Sequence, residues 1–415
     1  MILSEIITIG DELLIGHVVD TNSAWIARQL NELGISVKQI TSVSDSADHI
    51  LEALAAARNR ATLIIITGGL GPTRDDVTKQ TLCKFFNCNM RFDEESFRII
   101  SEIFKSRGRE VTDVNRRQAE VPDKCTVLLN RLGTAPGMWF REDGKIYVSL
   151  PGVPAEMKGL MAESVLPRLK NVFSLPPIIH KSFLTQGIAE SFLSDRLSQW
   201  EDELPKNMKL AYQPGAGMVR LRISAAGNDE EELRKKVEEQ SKRLQDLVGE
   251  YIFGYEHDSL EGIVGRLLRE QKKTISTAES CTGGYIAHKL TSIPGSSEYY
   301  LGSLVAYSNE VKVEELNVDM QTLEEFGAVS EQVVRTMAFS ALRKFHSDYA
   351  IACSGIAGPT GGTPEKPVGT VWIAIASFEK TISQKLQLGN FRERVIMETS
   401  HHALNLLRKI LTGIM

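Results

Sequence analysis

"ATLIIITGGLGPTRDD", residues 61–76, decides the fold of the N-terminal part of the chain. Its first half is a continuous apolar run, the pattern of a parallel strand covered on both faces; a half-exposed strand would alternate. "LSEIITIG" (3–10) and "ISVKQITSV" (35–43) read as two further strands. Helices lie between them. One follows "DTNS", carries Trp25, Ile26, Leu30 and Leu33 on one stripe and stops at Gly34; the other is "ADHILEALAAARN" (47–59), which Ser46 is expected to cap. This β-α-β-α-β order predicts a parallel sheet with right-handed crossovers. Downstream, "GMWFREDGKIYVSLPG" (137–152) reads as a hairpin turning near Asp143-Gly144, and a helix from Ala155 to about Leu169 closes a first domain over residues 1–172.

"SLPP" (174–177) is the expected linker, because consecutive prolines cannot continue a helix. Residues 176–255 then read strand 178–186, helix 188–200, strands 208–213 and 218–226, helix 229–248 and strand 251–253. That β-α-β-β-α-β order is the ferredoxin-like α+β pattern of a small connecting domain. A second α/β domain is expected over 257–415. It has a helix at about 259–271, the strands "KKTISTA", "GSLVAYS", "SDYAIACSG" and "GTVWIAIAS", and the helices "YIAHKLTSI", "AVSEQVVRTMAFSALRKF" and 392–411.

Composition narrows the function classes. A net charge of −5 over 415 residues gives no electrostatic reason to expect nucleic acid as ligand. No apolar run approaches the roughly 18 residues that would span a bilayer, so no membrane association is expected. The start "MILSEIITIG" lacks a basic stretch and carries Glu5, which reads as a strand and not as a signal peptide. Five cysteines without a CxxC pair argue for free thiols in a reducing compartment, hence a cytoplasmic location.

Two regions carry chemistry. In "TGGLGPTRDD" (67–76), Gly68, Gly69 and Gly71, with Pro72 and Thr73, let a backbone approach a ligand, and the following helix start offers N–H groups to a phosphate. Asp75 and Asp76 supply hard oxygen ligands for Mg²⁺ or a similar ion. Asp11 and Glu12 end another parallel strand, and Asn22, Pro151 and Gly152 are expected at the same rim, where open α/β sheets bind ligands. Each motif alone reads as turn glycines and helix-capping carboxylates; several together at strand ends point to an anionic-ligand site.

The second region is "AESCTGG" (278–284), with three carbonyl-attacking side chains in a row: Ser280, Cys281 and Thr282. A strand-to-helix junction there can stabilise an oxyanion through its N–H groups, although a plain helix cap is the commoner use of such a stretch. "VAYSNEVK" places Tyr307 and Lys312 just beyond another strand, and "CSGIAGPTGGTPEKPVGTVW" is a long Gly/Pro-rich loop suited to phosphate or ribose. Of eight histidines only His288 follows a candidate nucleophile, so a serine there needs another base, and a neutral lysine is the alternative. For Lys312 to serve, its pKa must fall from ~10.4 toward ~7–8, through burial and a nearby cation such as Arg392. Cys281 is intrinsically the better nucleophile, and Thr282 is the second hydroxyl candidate.

"GDELLIGHVVDTNS", "TGGLGPTRDDVT" and "LPGVPAEM" resemble the molybdopterin-binding-like domain of the CinA family (competence/damage-inducible protein A), related to MoaB and MoeA. The resemblance implies a MoaB/MoeA-like three-layer fold. It also implies a site for a pterin phosphate or, as in some CinA proteins, an ADP-ribose pyrophosphatase with a divalent metal (Mg, Mn or Co) held by Asp75, Asp76 and Glu12. Binding without hydrolysis is the other outcome it allows. "TAESCTGG", "YSNEVK", "GAVSEQVV", "SGIAGPTGGTPEKPVGTVW" and "FRERV" resemble PncC-type nicotinamide-mononucleotide deamidases, the CinA C-terminal domain.

That second resemblance implies a Ser280–Lys312 pair with Tyr307 assisting. It implies substrate contacts from Thr282, Gly283, Gly284, Asn309, Ser354, Gly355, Gly358 and Arg392. "GNFRER" inserts Phe391 relative to the common family pattern, which leaves Arg392 or Arg394 for the last of these. The expected protein is a homodimeric enzyme of pyridine-nucleotide turnover acting on nicotinamide mononucleotide and ADP-ribose. The alternative is a non-catalytic nucleotide- or pterin-binding protein acting through a protein partner.

Overall fold

The computed structural model describes residues 2–73, 76–173, 175–215 and 217–415. The chain groups into two compact units, Met1–Ile178 with Ala226–Leu233, and Ile179–Ala225 with Arg234–Met415.

In the first unit the strands are β1 (Leu3–Ile9), β2 (Ser36–Val43), β3 (Leu63–Thr67), β4 (Met90–Phe92), β5 (Glu120–Pro122), β6 (Thr126–Leu128), β7 (Gly137–Glu142) and β8 (Lys145–Leu150). They form a six-stranded sheet ordered β2-β1-β3-β8-β7-β6 and a separate β4-β5 pair. β2, β1, β3 and β8 run parallel; β7 and β6 are added antiparallel. The unbroken apolar run of β3 is explained by its position. Ile64 and Ile66 face Leu54, Leu82 and Phe86 on one side, while Leu63 and Ile65 face Ile26, Leu30 and Met157 on the other. Helices therefore cover both faces, which gives the three-layer arrangement.

Two local expectations needed correction. Ser46 occupies the cap position of the helix Ala47–Arg60, but its side chain makes no capping hydrogen bond. The helix after Pro154 runs past Leu169 to Val172 through a π turn, Met161–Val165. Pro167 lies just beyond that turn and has no N–H for the carbonyl four residues back, which favours the wider turn.

In the second unit, β9 (Ile178–Gln186), β10 (Met208–Gly215), β11 (Met218–Ala226) and β12 (Ile252–Tyr255) form a sheet ordered β10-β11-β9-β12. With the helices Glu190–Asp202 and Glu230–Val248 this is the β-α-β-β-α-β arrangement read from the sequence. The remaining strands are β13 (Ile275–Glu279), β14 (Tyr300–Val305), β15 (Tyr349–Gly355), β16 (Thr370–Ser377) and β17 (Thr381–Gln387), ordered β14-β13-β15-β16-β17. β14, β13 and β15 are parallel, whereas β16 and β17 are antiparallel additions.

One face of this sheet packs Ile351, Ile373 and Ile375 under the helices Leu260–Glu270, Tyr285–Thr291 and Arg392–Leu411. The other face presents Ala278, Ala350, Ala352, Ala374 and Ala376 to Val333, Val334 and Met337 of the helix Glu331–Phe345. Among the described residues no helix is long and apolar enough to cross a membrane.

Candidate active site

Parallel strands bring their C-terminal ends to one edge, so Gly10, Thr67–Gly69 and Pro151–Gly152 meet at the edge of the first sheet. Asn22 joins them: its Nδ2 donates to the Gly152 carbonyl at 2.7 Å and to Thr67 Oγ1 at 3.4 Å. Thr67 Oγ1 in turn donates to the Pro151 carbonyl at 2.9 Å. Asn22 Oδ1 is buried and has no partner among the described residues. Gly68 takes φ +115°, and a Cβ there would collide with the Ile9 carbonyl oxygen, so only glycine fits between β1 and β3. Its neighbour Gly69 lies against Thr78.

The loop beyond is held by Asp76. The Asp76 carboxylate accepts the N–H groups of Gly71 and Thr73, each at 2.8 Å, and the Thr73 hydroxyl. Those amides are therefore not free for a phosphate, and Asp76 is tied into the loop next to Pro72. Asp11 and Asp45 clamp each other, with Asp11 N–H donating to Asp45 Oδ2 at 2.9 Å and Asp45 N–H to Asp11 Oδ1 at 3.4 Å. The Glu12 carboxylate folds back over Gly10. Asp75 lies outside the described residues. Among the described residues no cluster of three or more His, Cys, Asp or Glu could hold a metal ion. Of the three carboxylates expected to hold a metal only Glu12 and Asp76 are described, and these two alone make no such cluster.

At the second sheet, β13 ends inside a tight frame: Ser280 N–H donates to the Cys353 carbonyl at 3.1 Å, and Ala306 N–H to the Glu279 carbonyl at 2.8 Å. The residue that organises the turn is Glu279, which sequence reasoning passed over. Fully buried, its carboxylate accepts the Thr282 hydroxyl at 2.6 Å and the N–H groups of Gly284 (3.1 Å), Ile286 (3.0 Å) and Ala287 (2.7 Å). It satisfies the orphan donors that begin the helix Tyr285–Thr291, with Gly283 and Gly284 both at positive φ. The helix start therefore belongs to Glu279, whose spacing from these donors matches no ordinary cap.

This separates the three candidate nucleophiles. Thr282 is occupied by Glu279 and lies 3.0 Å from the Cys353 thiol. Cys281 is buried in the apolar core, where a hydrogen bond with Cys353 and desolvation push its thiol well above its ordinary pKa, so it resists forming a thiolate. Gly355 packs against that thiol. Ser280 makes no side-chain hydrogen bond among the described residues.

Lys312, on the helix Asn309–Leu316, is 1 % exposed. Its Nζ donates to the carbonyls of Ala306 at 2.9 Å, Tyr307 at 3.3 Å and Ser308 at 3.3 Å. No hydrogen bond joins it to Ser280. Burial lowers its pKa, with the Cys281 and Cys353 thiols and Glu310 opposing. Arg392 is not the depressing cation. Its guanidinium instead bridges the Tyr307 hydroxyl at 2.9 Å and the Gly358 carbonyl at 2.9 Å, while Arg394 pairs with Glu398 at 2.7 Å. Of the two arginines, Arg392 is the one beside the expected site residues. Asn309 is exposed at its helix start, and Ser354 is buried with its hydroxyl donating to the Ala328 carbonyl at 2.7 Å.

Comparison with known proteins agrees with this layout. Residues 5–171 match a family described as "Probable molybdopterin binding domain", residues 180–254 the "Damage-inducible protein CinA KH domain", and residues 257–411 the "CinA C-terminal domain". A CinA-like protein of Cytophaga hutchinsonii is 47% identical over 408 residues, covering 98% of each chain. Another from Flavobacterium psychrophilum is 46% identical over 409 residues, covering 97% of each. A solved competence/damage-inducible protein from Agrobacterium tumefaciens is 36% identical, with a TM-score of 0.36, and spans 39% of this chain and 99% of its own. With its three regions matched in order and full-length relatives at this identity, the chain belongs to the CinA family.

Proposed function

We propose that the C-terminal site is an amidase that converts the carboxamide of nicotinamide mononucleotide to the acid and ammonia, with Ser280 as nucleophile. The observation that carries this reading is the division of labour in "ESCT": Glu279 starts the helix, Thr282 serves Glu279, Cys281 is buried, and Ser280 alone stays uncommitted. Among the described residues neither the Cys281 nor the Thr282 N–H donates to a backbone carbonyl, and in this reading they are the groups that meet the oxyanion.

Lys312 fits the role of base by a donor count. As an ammonium it has three N–H bonds for three carbonyls; as an amine it keeps two, so one of its 3.3 Å contacts lapses and a lone pair is released. The amine takes the Ser280 proton as Oγ attacks the carboxamide carbon, and returns it to the departing ammonia. A water, deprotonated the same way, then frees the acyl-enzyme. Lys312→Met is expected to lower kcat by about 10²–10⁴-fold with KM little changed. In the unmodified protein kcat should rise with pH as Lys312 loses its proton, and that limb should vanish in the variant. Ammonia release at an unchanged rate would remove Lys312 from the mechanism.

Arg392 has five N–H donors, of which two are used by Tyr307 and Gly358. The rest suit the nucleotide phosphate. Arg392→Ala should raise KM for nicotinamide mononucleotide by roughly 10–100-fold, the worth of a charged hydrogen bond, with a smaller change in kcat; steady-state kinetics reads both. A variant with unaltered KM would place the phosphate elsewhere.

For the first unit we infer that the strand-end crevice binds an ADP-ribose-like nucleotide. Asn22 Oδ1, buried and unpartnered beside Thr67 and Gly152, supports a ligand with donors of its own. The engagement of Asp76 with the loop favours binding over hydrolysis. Calorimetric titration with ADP-ribose, and an assay for AMP with and without added divalent ions, decides between them.

A further inference from the structure

A cavity of about 380 Å³ lies wholly within the second unit, lined by Leu184 of β9, Met218 of β11, Phe253 of β12 and Leu260. Neither Ser280 nor Lys312 is in its walls. We propose that this cavity binds a neutral, planar heteroaromatic molecule whose edge carries an acceptor beside an N–H donor, as an aminopurine or an aromatic carboxamide does. Arg220 meets the acceptor and Asp258 the donor.

Both polar residues are half-buried, line the cavity and are held by the turn that follows β12. Arg220 Nη1 donates to the Glu256 carbonyl at 2.6 Å, which leaves four of the five guanidinium N–H groups. Asp258 Oδ2 accepts the Tyr255 N–H at 3.0 Å, and Oδ1 has no hydrogen-bond partner among the described residues. Each residue is thus fixed at one atom and open at another, one as donor and one as acceptor. That is the arrangement that orients a ligand in an otherwise apolar pocket.

Charge excludes the commoner occupant, a phosphate. The other two charged residues of the lining, Lys289 and Glu261, are paired with each other at 3.1 Å and both mostly buried. Two cations therefore face two carboxylates, and no surplus positive charge is left for a dianion. The apolar groups are large: Leu184, Phe253 and Leu260 belong to the core of the C-terminal sheet, and Met218 packs against it. They cover the faces of a flat ring, while Arg220 and Asp258 read its edge. The volume is within the range of small-molecule sites. Two walls come from helices that also carry residues of the candidate active site: Lys289 lies on Tyr285–Thr291, just after Ser280, and His401 on Arg392–Leu411.

Adenosine and nicotinamide are the probes, titrated calorimetrically into the full chain and into Arg220→Met and Asp258→Asn, each checked by circular dichroism for an intact fold. Asparagine keeps an acceptor for the Tyr255 N–H, so the second variant changes the edge contact with little cost to the turn. At least one probe should bind the unmodified protein, and each variant should weaken it about tenfold or more, the scale of a hydrogen bond to a charged group. Adenosine alone would identify the occupant as a nucleobase, nicotinamide alone as an aromatic carboxamide. AMP should bind no more tightly than adenosine; tighter binding would reveal a cation free for phosphate and overturn the neutral assignment. A probe whose affinity either variant leaves unaltered is not held here. If that is true of every probe that binds, or if neither binds, the proposal falls.

Discussion

Ser280→Ala is expected to bring ammonia release from nicotinamide mononucleotide down by roughly 10³-fold or more in kcat, the scale of losing an attacking atom that works as a unit with its base. KM should change little, since Ser280 Oγ makes no binding contact beyond the reacting carbon. Cys281→Ala is the decisive companion. A thiol held in the core beside Cys353, with its pKa raised, contributes packing and not attack, so this variant should keep most turnover while losing some stability. The reverse pattern, with Ser280→Ala active and Cys281→Ala dead, would make the thiol the nucleophile. Mass spectrometry of protein quenched during turnover offers a second reading: an acyl adduct should map to the peptide carrying residue 280 and be absent from Ser280→Ala.

The largest stability effect is expected at Glu279. Its carboxylate takes two hydroxyls, of Thr277 and Thr282, and three N–H groups in a fully buried position. Glu279→Ala leaves these donors in the interior without an acceptor, each unfavourable by about 1–3 kcal/mol before relaxation. Neighbouring groups will recover part of that, so a net loss of about 3–5 kcal/mol is expected, similar to breaking a buried ion pair. Glu279→Gln should fall in between, because the amide offers one accepting oxygen and turns a donor toward the remaining N–H groups. Because the chain has more than one unit, a single midpoint will not do. Hydrogen exchange at Ile286 and Ala287 isolates the effect. Unchanged protection of those amides in Glu279→Ala would mean the helix begins without the carboxylate.

The sheet cores were readable from the sequence because β3 and β15 are interior strands with short apolar runs, LIIIT and YAIAC, and in β3 the β-branched isoleucines add to the signal. β17 was not, since "TISQKLQ" is polar on most of its length and pairs only with β16 at the sheet edge. The short pair β4 and β5 escaped for a related reason: three-residue strands give no period to count. The rim of Asn22, Gly68 and Gly152 could be anticipated, because strand order alone places those residues together. The contact of Lys79 Nζ with the Gln118 carbonyl could not, as it is made through a loop path that no local pattern encodes. Asp76 shows a different limit. A carboxylate three to five positions after the amides it accepts looks, in sequence, the same as one waiting for a cation.

The alanine-lined face of the C-terminal sheet carries a consequence for how far this sequence can drift. Five methyl groups, from Ala278, Ala350, Ala352, Ala374 and Ala376, act as a bearing surface that sets the height of the helix Glu331–Phe345. The segment leading into that helix holds Ala328, whose carbonyl grips the Ser354 hydroxyl. A single enlargement such as Ala352→Val would lift the helix and drag that grip with it, so the tolerance for change on this face is set by the room for single methyl groups.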